Sequence, residues 1–103
     1  MFKALRINMN GFEAVDVKGE SIVEELHSMQ QMVGGHVEHI PLKDDGVMLV
    51  DEKGMLKQYP RNELASLVSG KHIYGTALIV GQVGNLLTDV PSKFLTLLEI
   101  GNI

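Results

Sequence analysis

The chain of 103 residues contains no cysteine and no tryptophan, and aromatic residues make up only 5% of it. The missing thiols exclude a disulfide framework, a thiolate zinc site and a cysteine nucleophile. No apolar run approaches the roughly 18 residues needed to cross a bilayer. The opening Met1-Phe2-Lys3-Ala4-Leu5-Arg6 lacks the apolar core of a signal peptide. Together these absences lead us to expect a soluble, cytoplasmic protein with no membrane partner. Positive charge is also in short supply, with nine Lys and Arg against 13 Asp and Glu and a net charge of -4. That balance argues against a footprint for extended nucleic acid. What remains is a chain 45% apolar with 11 glycines, an ordinary composition for one globular domain spanning residues 1–103.

Hydrophobic periodicity divides the chain into short elements. Residues 2–7 and 12–17 alternate around Asn8-Met9-Asn10-Gly11, a pattern that predicts an opening β-hairpin. The alternation of Phe2, Ala4, Leu5 and Ile7 is imperfect, so it does not fix which face is buried. Ser21-Ile22-Val23-Glu24 has the form of a capping box and starts a first helix. Its apolar stripe of Ile22, Leu26, Met29 and Val33, flanked by Val23 and Met32, should lie on a sheet, and Gly34 should end it. His36 to Ile40 and Val47 to Val50 form a second hairpin around Asp44-Asp45-Gly46, and Met55-Leu56-Lys57 is expected to add a short strand. A short second helix follows Pro60 and Asn62 and ends at Ser69-Gly70. Ile73 to Val83 is expected to be the most buried strand, with Gly75 and Gly81 bending it or leaving space for a neighbour. Thr88 or Asp89 caps a last helix whose broad apolar face (Phe94, Leu95, Leu97 and Leu98) suits either the core or another subunit. The fold class is therefore α+β, a mainly antiparallel sheet of about five to six strands built from hairpins, with about three helices packed on it.

Few residues fit catalytic chemistry. His36 and Glu38 stand at i and i+2 and could share a strand face, but a His-x-Glu pair without a third ligand is a generic spacing for a metal. Asp44-Asp45-Gly46 is first of all a turn. No serine or threonine sits in a nucleophile elbow. No catalytic residue, cofactor or metal is therefore assigned. Gly34-Gly35 follows a helix, where the dipole is negative, so it is a poor phosphate cradle. The segment Tyr59-Pro60-Arg61-Asn62 is richer, because an arginine at a helix start can bind phosphate or carboxylate bidentately and Tyr59 can stack on a base. Gly75-Thr76 adds a small hydroxyl beside a glycine. Residues 58–103 are electrically neutral while the excess acid lies before them, which favours a small anion there over a long polyanion.

Four stretches carry a resemblance: Met32-Val-Gly-Gly-His-Val-Glu-His-Ile-Pro-Leu42, Asp45-Gly-Val-Met-Leu-Val-Asp-Glu-Lys-Gly54, Pro60-Arg-Asn-Glu-Leu-Ala-Ser66 and Ile73-Tyr-Gly-Thr-Ala-Leu-Ile-Val-Gly81. Over roughly residues 3–90 the sequence resembles the DUF3846 family of small phage, plasmid and bacterial proteins. The resemblance brings no catalytic residues and implies a mobile-element setting, in which small accessory proteins act on host defence or nucleic-acid metabolism. The leading expectation is a non-enzymatic, homo-oligomeric protein that binds a small anionic nucleotide-like ligand through Tyr59, Arg61, Asn62, Gly75, Thr76 and His36, for example by sequestering a host immune signal. The alternative is an acidic inhibitor or adaptor of a host protein, acting through Glu13, Asp16, Glu20, Glu24 and Glu25. A phosphodiesterase working through His36 and Glu38 is a third reading.

Overall fold

The computed structural model describes residues 1–101. Strands β1 (Phe2–Asn8), β2 (Gly11–Val17), β3 (Val37–Pro41), β4 (Gly46–Asp51), β5 (Ala77–Val83) and β6 (Leu86–Thr88) form one antiparallel sheet in the order β2-β1-β5-β4-β3. The short strand β6 pairs with β5 over Gly81–Val83, beyond the stretch of β5 that β1 covers. Helices α1 (Ile22–Val33), α2 (Glu63–Ser69) and α3 (Leu97–Gly101) pack on it, as an α+β fold requires. A 3₁₀ turn over Ser92–Thr96 leads into α3.

Both faces of the sheet are covered. Phe2, Ala4, Val17, Val47, Leu49, Leu78 and Val80 pack against Met29 and Val33 of α1. Leu5, Ile7, Met48, Val50, Ala77 and Ile79 pack on the other side against Ala65 of α2, with Phe94, Leu97 and Leu98 from the C-terminal segment. This explains the imperfect alternation of β1. Phe2 and Ala4 serve one face and Leu5 and Ile7 the other, so a strand buried on both sides loses the simple period of two.

Local chemistry sets the element ends. Ser21 Oγ accepts from the Glu24 N–H at 3.2 Å, and Glu24 Oε1 accepts from the Glu20 N–H at 2.9 Å, so the capping box closes one residue before the cap. Gly34 ends α1 at φ 101°, in the left-handed region. Asp44 and Asp45 both take positive φ in the β3–β4 turn, a conformation aspartate tolerates.

Several expectations need correction. Met55-Leu56-Lys57 forms no strand, because residues 52–58 wind through consecutive turns closed by Lys57 N–H to Lys53 O and Gln58 N–H to Met55 O. The buried strand starts at Ala77 and not at Ile73, since Gly75 at φ 87° breaks the extended chain before it. Thr88 closes β6 and does not cap a helix, while Asp89 Oδ1 accepts from the Lys3 N–H at 2.8 Å. Ile22 is 70% exposed and leaves the α1 stripe at its first turn. The apolar face of the C-terminal segment turns inward through Phe94, Leu97 and Leu98, leaving only the margin at Leu95 exposed among its described leucines.

Candidate functional site

The four stretches that carry the family resemblance meet at one corner of the sheet, around the end of β4. Asp51 closes that strand with its side chain only 1% exposed. Lys57 Nζ donates to Asp51 Oδ2 at 2.7 Å and to the Gly34 carbonyl at 3.0 Å, and the Lys53 N–H donates to Asp51 Oδ1 at 2.9 Å. Burial pushes the Asp51 carboxyl up, but the hydrogen bonds from Lys57 and the Lys53 backbone, the Lys57 charge and the Tyr59 hydroxyl outweigh it. They hold the group below the ordinary aspartate range. The same contact with Asp51 raises Lys57 above the ordinary lysine value.

Gly34 and Gly35 exist for this corner as much as for the helix stop. A Cβ on Gly34 would stand 2.6 Å from the Tyr59 hydroxyl, and one on Gly35 would stand 2.7 Å from Lys57 Nζ and 2.9 Å from Asp51 Oδ2. The Lys57 ammonium lies 5.8 Å from the centroid of the Tyr59 ring, within reach of a cation–π attraction. The ring in turn lies on Gly75, where a Cβ would approach its Cδ2 to 2.5 Å. Tyr59 therefore bridges the α1 terminus, Asp51 and the approach to β5.

Residues 60–62 run antiparallel to residues 73–75. Arg61 and Tyr74 form a β-bridge, the Asn62 N–H donates to Ile73 O at 2.7 Å and the Gly75 N–H to Pro60 O at 2.9 Å. Asn62 is fully buried and caps α2, its Oδ1 accepting from the Ala65 N–H at 3.0 Å. Its Nδ2 donates to Ile7 O and Gly75 O, each at 2.9 Å. These bonds engage both amide protons, so Asn62 positions the segment and offers no donor to a ligand. Arg61 stays at the surface. Its Nε pairs with Glu63 Oε1 at 2.9 Å, and Nη1 contacts Nδ1 of His72.

Beside this bridge lies a cleft of about 220 Å³, lined by Glu38 and Ile40 of β3, Val50 and Asp51 of β4, Glu52, Gly54 and Met55 of the following turns, and Lys71, His72, Ile73 and Tyr74. None of the six sequence-derived candidates lines it directly. Arg61 reaches its rim through His72, while Tyr59 and Gly75 pack behind it. Thr76 is half-buried just before β5. His36 is exposed ahead of β3, and its carbonyl accepts from the Glu52 N–H at 2.9 Å. That bond extends the β3–β4 register by one pair beyond Val37 and Asp51, but His36 does not line the cleft that Glu38 lines. No group of three or more His, Asp or Glu suited to a metal occurs among the described residues.

Lys71 stood out in the sequence only as one of three cations, with Arg61 and Lys93, in a neutral half suited to an anion, and His72 and Tyr74 were not joined to it because the bridge from Arg61 to Tyr74 spans thirteen positions of chain. The only local signal was a histidine beside a lysine at the start of an apolar segment.

The expected acidic face is largely neutralised. Glu13 pairs with Arg6, Asp16 with Lys3 and Glu25 with the N-terminal amine, while Glu24 serves the α1 cap. Among the described residues no helix is long and apolar enough to cross a membrane.

No curated protein and no solved structure gives a significant match to the sequence. Comparison with protein families matches residues 3–99, nearly the whole chain, to DUF3846, described as a domain of unknown function. The segments that built the site fall within that match, and the chain belongs to the DUF3846 family.

Proposed function

We propose that the protein is a non-enzymatic binding module whose cleft holds a small anionic, nucleotide-like ligand. The observation that carries this reading is the basic edge of the cleft. Lys71 makes no ion pair among the described residues, and the neighbouring His72 side chain is in contact with Arg61. An ammonium and an imidazole N–H side by side suit a phosphate or carboxylate group. Ile40, Val50 and Ile73 supply an apolar floor, and Tyr74 an aromatic wall for a planar ring. A cleft of about 220 Å³ suits a small molecule over an extended polymer.

In the mobile-element setting that the family resemblance implies, capture without turnover suits removal of a host signalling nucleotide from solution. The homo-oligomer is part of this proposal. The C-terminal helix lends it no support, whereas Ile22 and Leu86 border an apolar groove between α1 and the β5–β6 hairpin. Calorimetric titration of adenosine monophosphate against the wild type and Lys71→Glu tests the binding reading. Wild-type binding that charge reversal abolishes supports it, and no heat with the wild type refutes it. Light scattering at two protein concentrations tests the oligomer, which a monomer at both would contradict.

A further inference from the structure

The cleft carries a second polar edge that the binding of an anion does not use. Glu38 and Glu52 both line it, both are exposed, and neither makes an ion pair among the described residues. Glu38 stands opposite Val50 in the β3–β4 register and two residues before Ile40. Strand alternation therefore places it on the same sheet face as those two apolar residues, at the mouth of the cluster that α2 covers. Asp51, the third carboxylate of the cleft, is already neutralised by Lys57. Lys71 is the one lysine or arginine in the cleft lining and faces two free carboxylates, so the cleft is not a simple anion hole. A bare anion placed there meets one cation and two like charges.

We infer that the cleft selects a nucleotide whose base bears an exocyclic amino group, with the phosphate at Lys71 and His72 and the amino group donating to Glu38 or Glu52. This rests on the binding function proposed above and adds its base specificity. Ionised carboxylates accept hydrogen bonds and cannot donate them. An amino group therefore satisfies Glu38 and Glu52, whereas a carbonyl at the same ring position sets lone pairs against lone pairs. Removing a hydrogen bond to a charged group costs about 1.5 kcal/mol or more, equivalent to roughly a tenfold loss of affinity.

The test compares adenosine monophosphate, inosine monophosphate and inorganic phosphate by calorimetry on the wild type and on Glu38→Ala/Glu52→Ala. Both side chains are exposed, and matching melting temperatures show that the variant keeps the fold. The expected result is an amino over oxo preference of about tenfold in the wild type, weaker binding of phosphate than of either nucleotide, and a preference reduced to about twofold or less in the variant. Equal affinity for the two nucleotides in the wild type, or an unchanged preference in the variant, overturns the inference and leaves the binding function standing. Failure of both nucleotides to bind overturns the two together.

Discussion

Replacing Asn62 probes the joint that holds the wall of the cleft. Its side chain makes three hydrogen bonds in a fully buried position, at 2.9, 2.9 and 3.0 Å, and ties α2 to β1 and to Gly75. Asn62→Ala removes an N-cap worth about 1 kcal/mol. It also takes a donor from each of two buried carbonyls, at about 1 kcal/mol or more apiece. The expected loss is thus about 3 kcal/mol, a large fraction of the 5–15 kcal/mol typical of a domain of about this size. A drop in melting temperature of roughly 12 °C or more should accompany it. Asn62→Asp separates the two roles. Aspartate caps a helix as well as asparagine does, but here it turns a buried charge toward the Ile7 and Gly75 carbonyls. The aspartate variant should therefore lose at least as much stability as the alanine variant. Urea denaturation followed by circular dichroism, with unchanged denaturant slope, measures both. If Asn62→Asp stays within about 1 kcal/mol of the wild type, Asn62 acts only as a cap and the clamp is refuted.

Two further perturbations examine the same corner. Gly75→Ala forces a side chain into the left-handed region, at about 1–2 kcal/mol, and drives its Cβ against the Tyr59 ring; in a Tyr59→Ala background the cost should shrink by the ring's share, and a double-mutant cycle without coupling contradicts the packing. Asp51 has its pKa depressed below 3.8 in the folded state, so its contribution to stability is present above that value and is lost as pH falls through the folded pKa, while that of Lys57, raised above 10.5, is present below 10.5 and lost as pH rises through its folded pKa. Asp51→Asn should lower stability at neutral pH and flatten its decline below about pH 4; an acid limb as steep as that of the wild type contradicts this.

The sequence disclosed the elements whose signals are local. Ser21 and Glu24 mark the start of α1, Gly34 its end, and Asp44-Asp45-Gly46 the second hairpin, because caps and turns depend on residues only a few positions apart. The β5–β6 hairpin was hidden because Gly84 and Asn85 turn a chain whose strand β6 has only three residues. Met55-Leu56 mimicked a strand, yet Leu56 is 81% exposed and the backbone there satisfies itself within turns. The cleft was less legible than the fold. Tyr59, Arg61 and Asn62 stand beside the cleft without lining it, and the cleft itself is made by pairing residues 60–62 with residues 73–75 and by seating Lys57 on Asp51. Gly34-Gly35 gave the helix stop and concealed its second role, since the atoms that exclude a Cβ there belong to residues far along the chain.

The proposed binding function places a small anionic ligand in the cleft between β3–β4 and the segment Lys71–Tyr74. Amide chemical shifts of the isotope-labelled protein during titration with adenosine monophosphate decide whether it binds there. Binding in the cleft should give saturable shifts confined to Glu38–Ile40, Asp51–Met55 and Lys71–Tyr74, which together carry most of the cleft lining. Shifts centred on Ile22, Leu86 and Leu87 in the α1 groove, or no shifts at all, would contradict it.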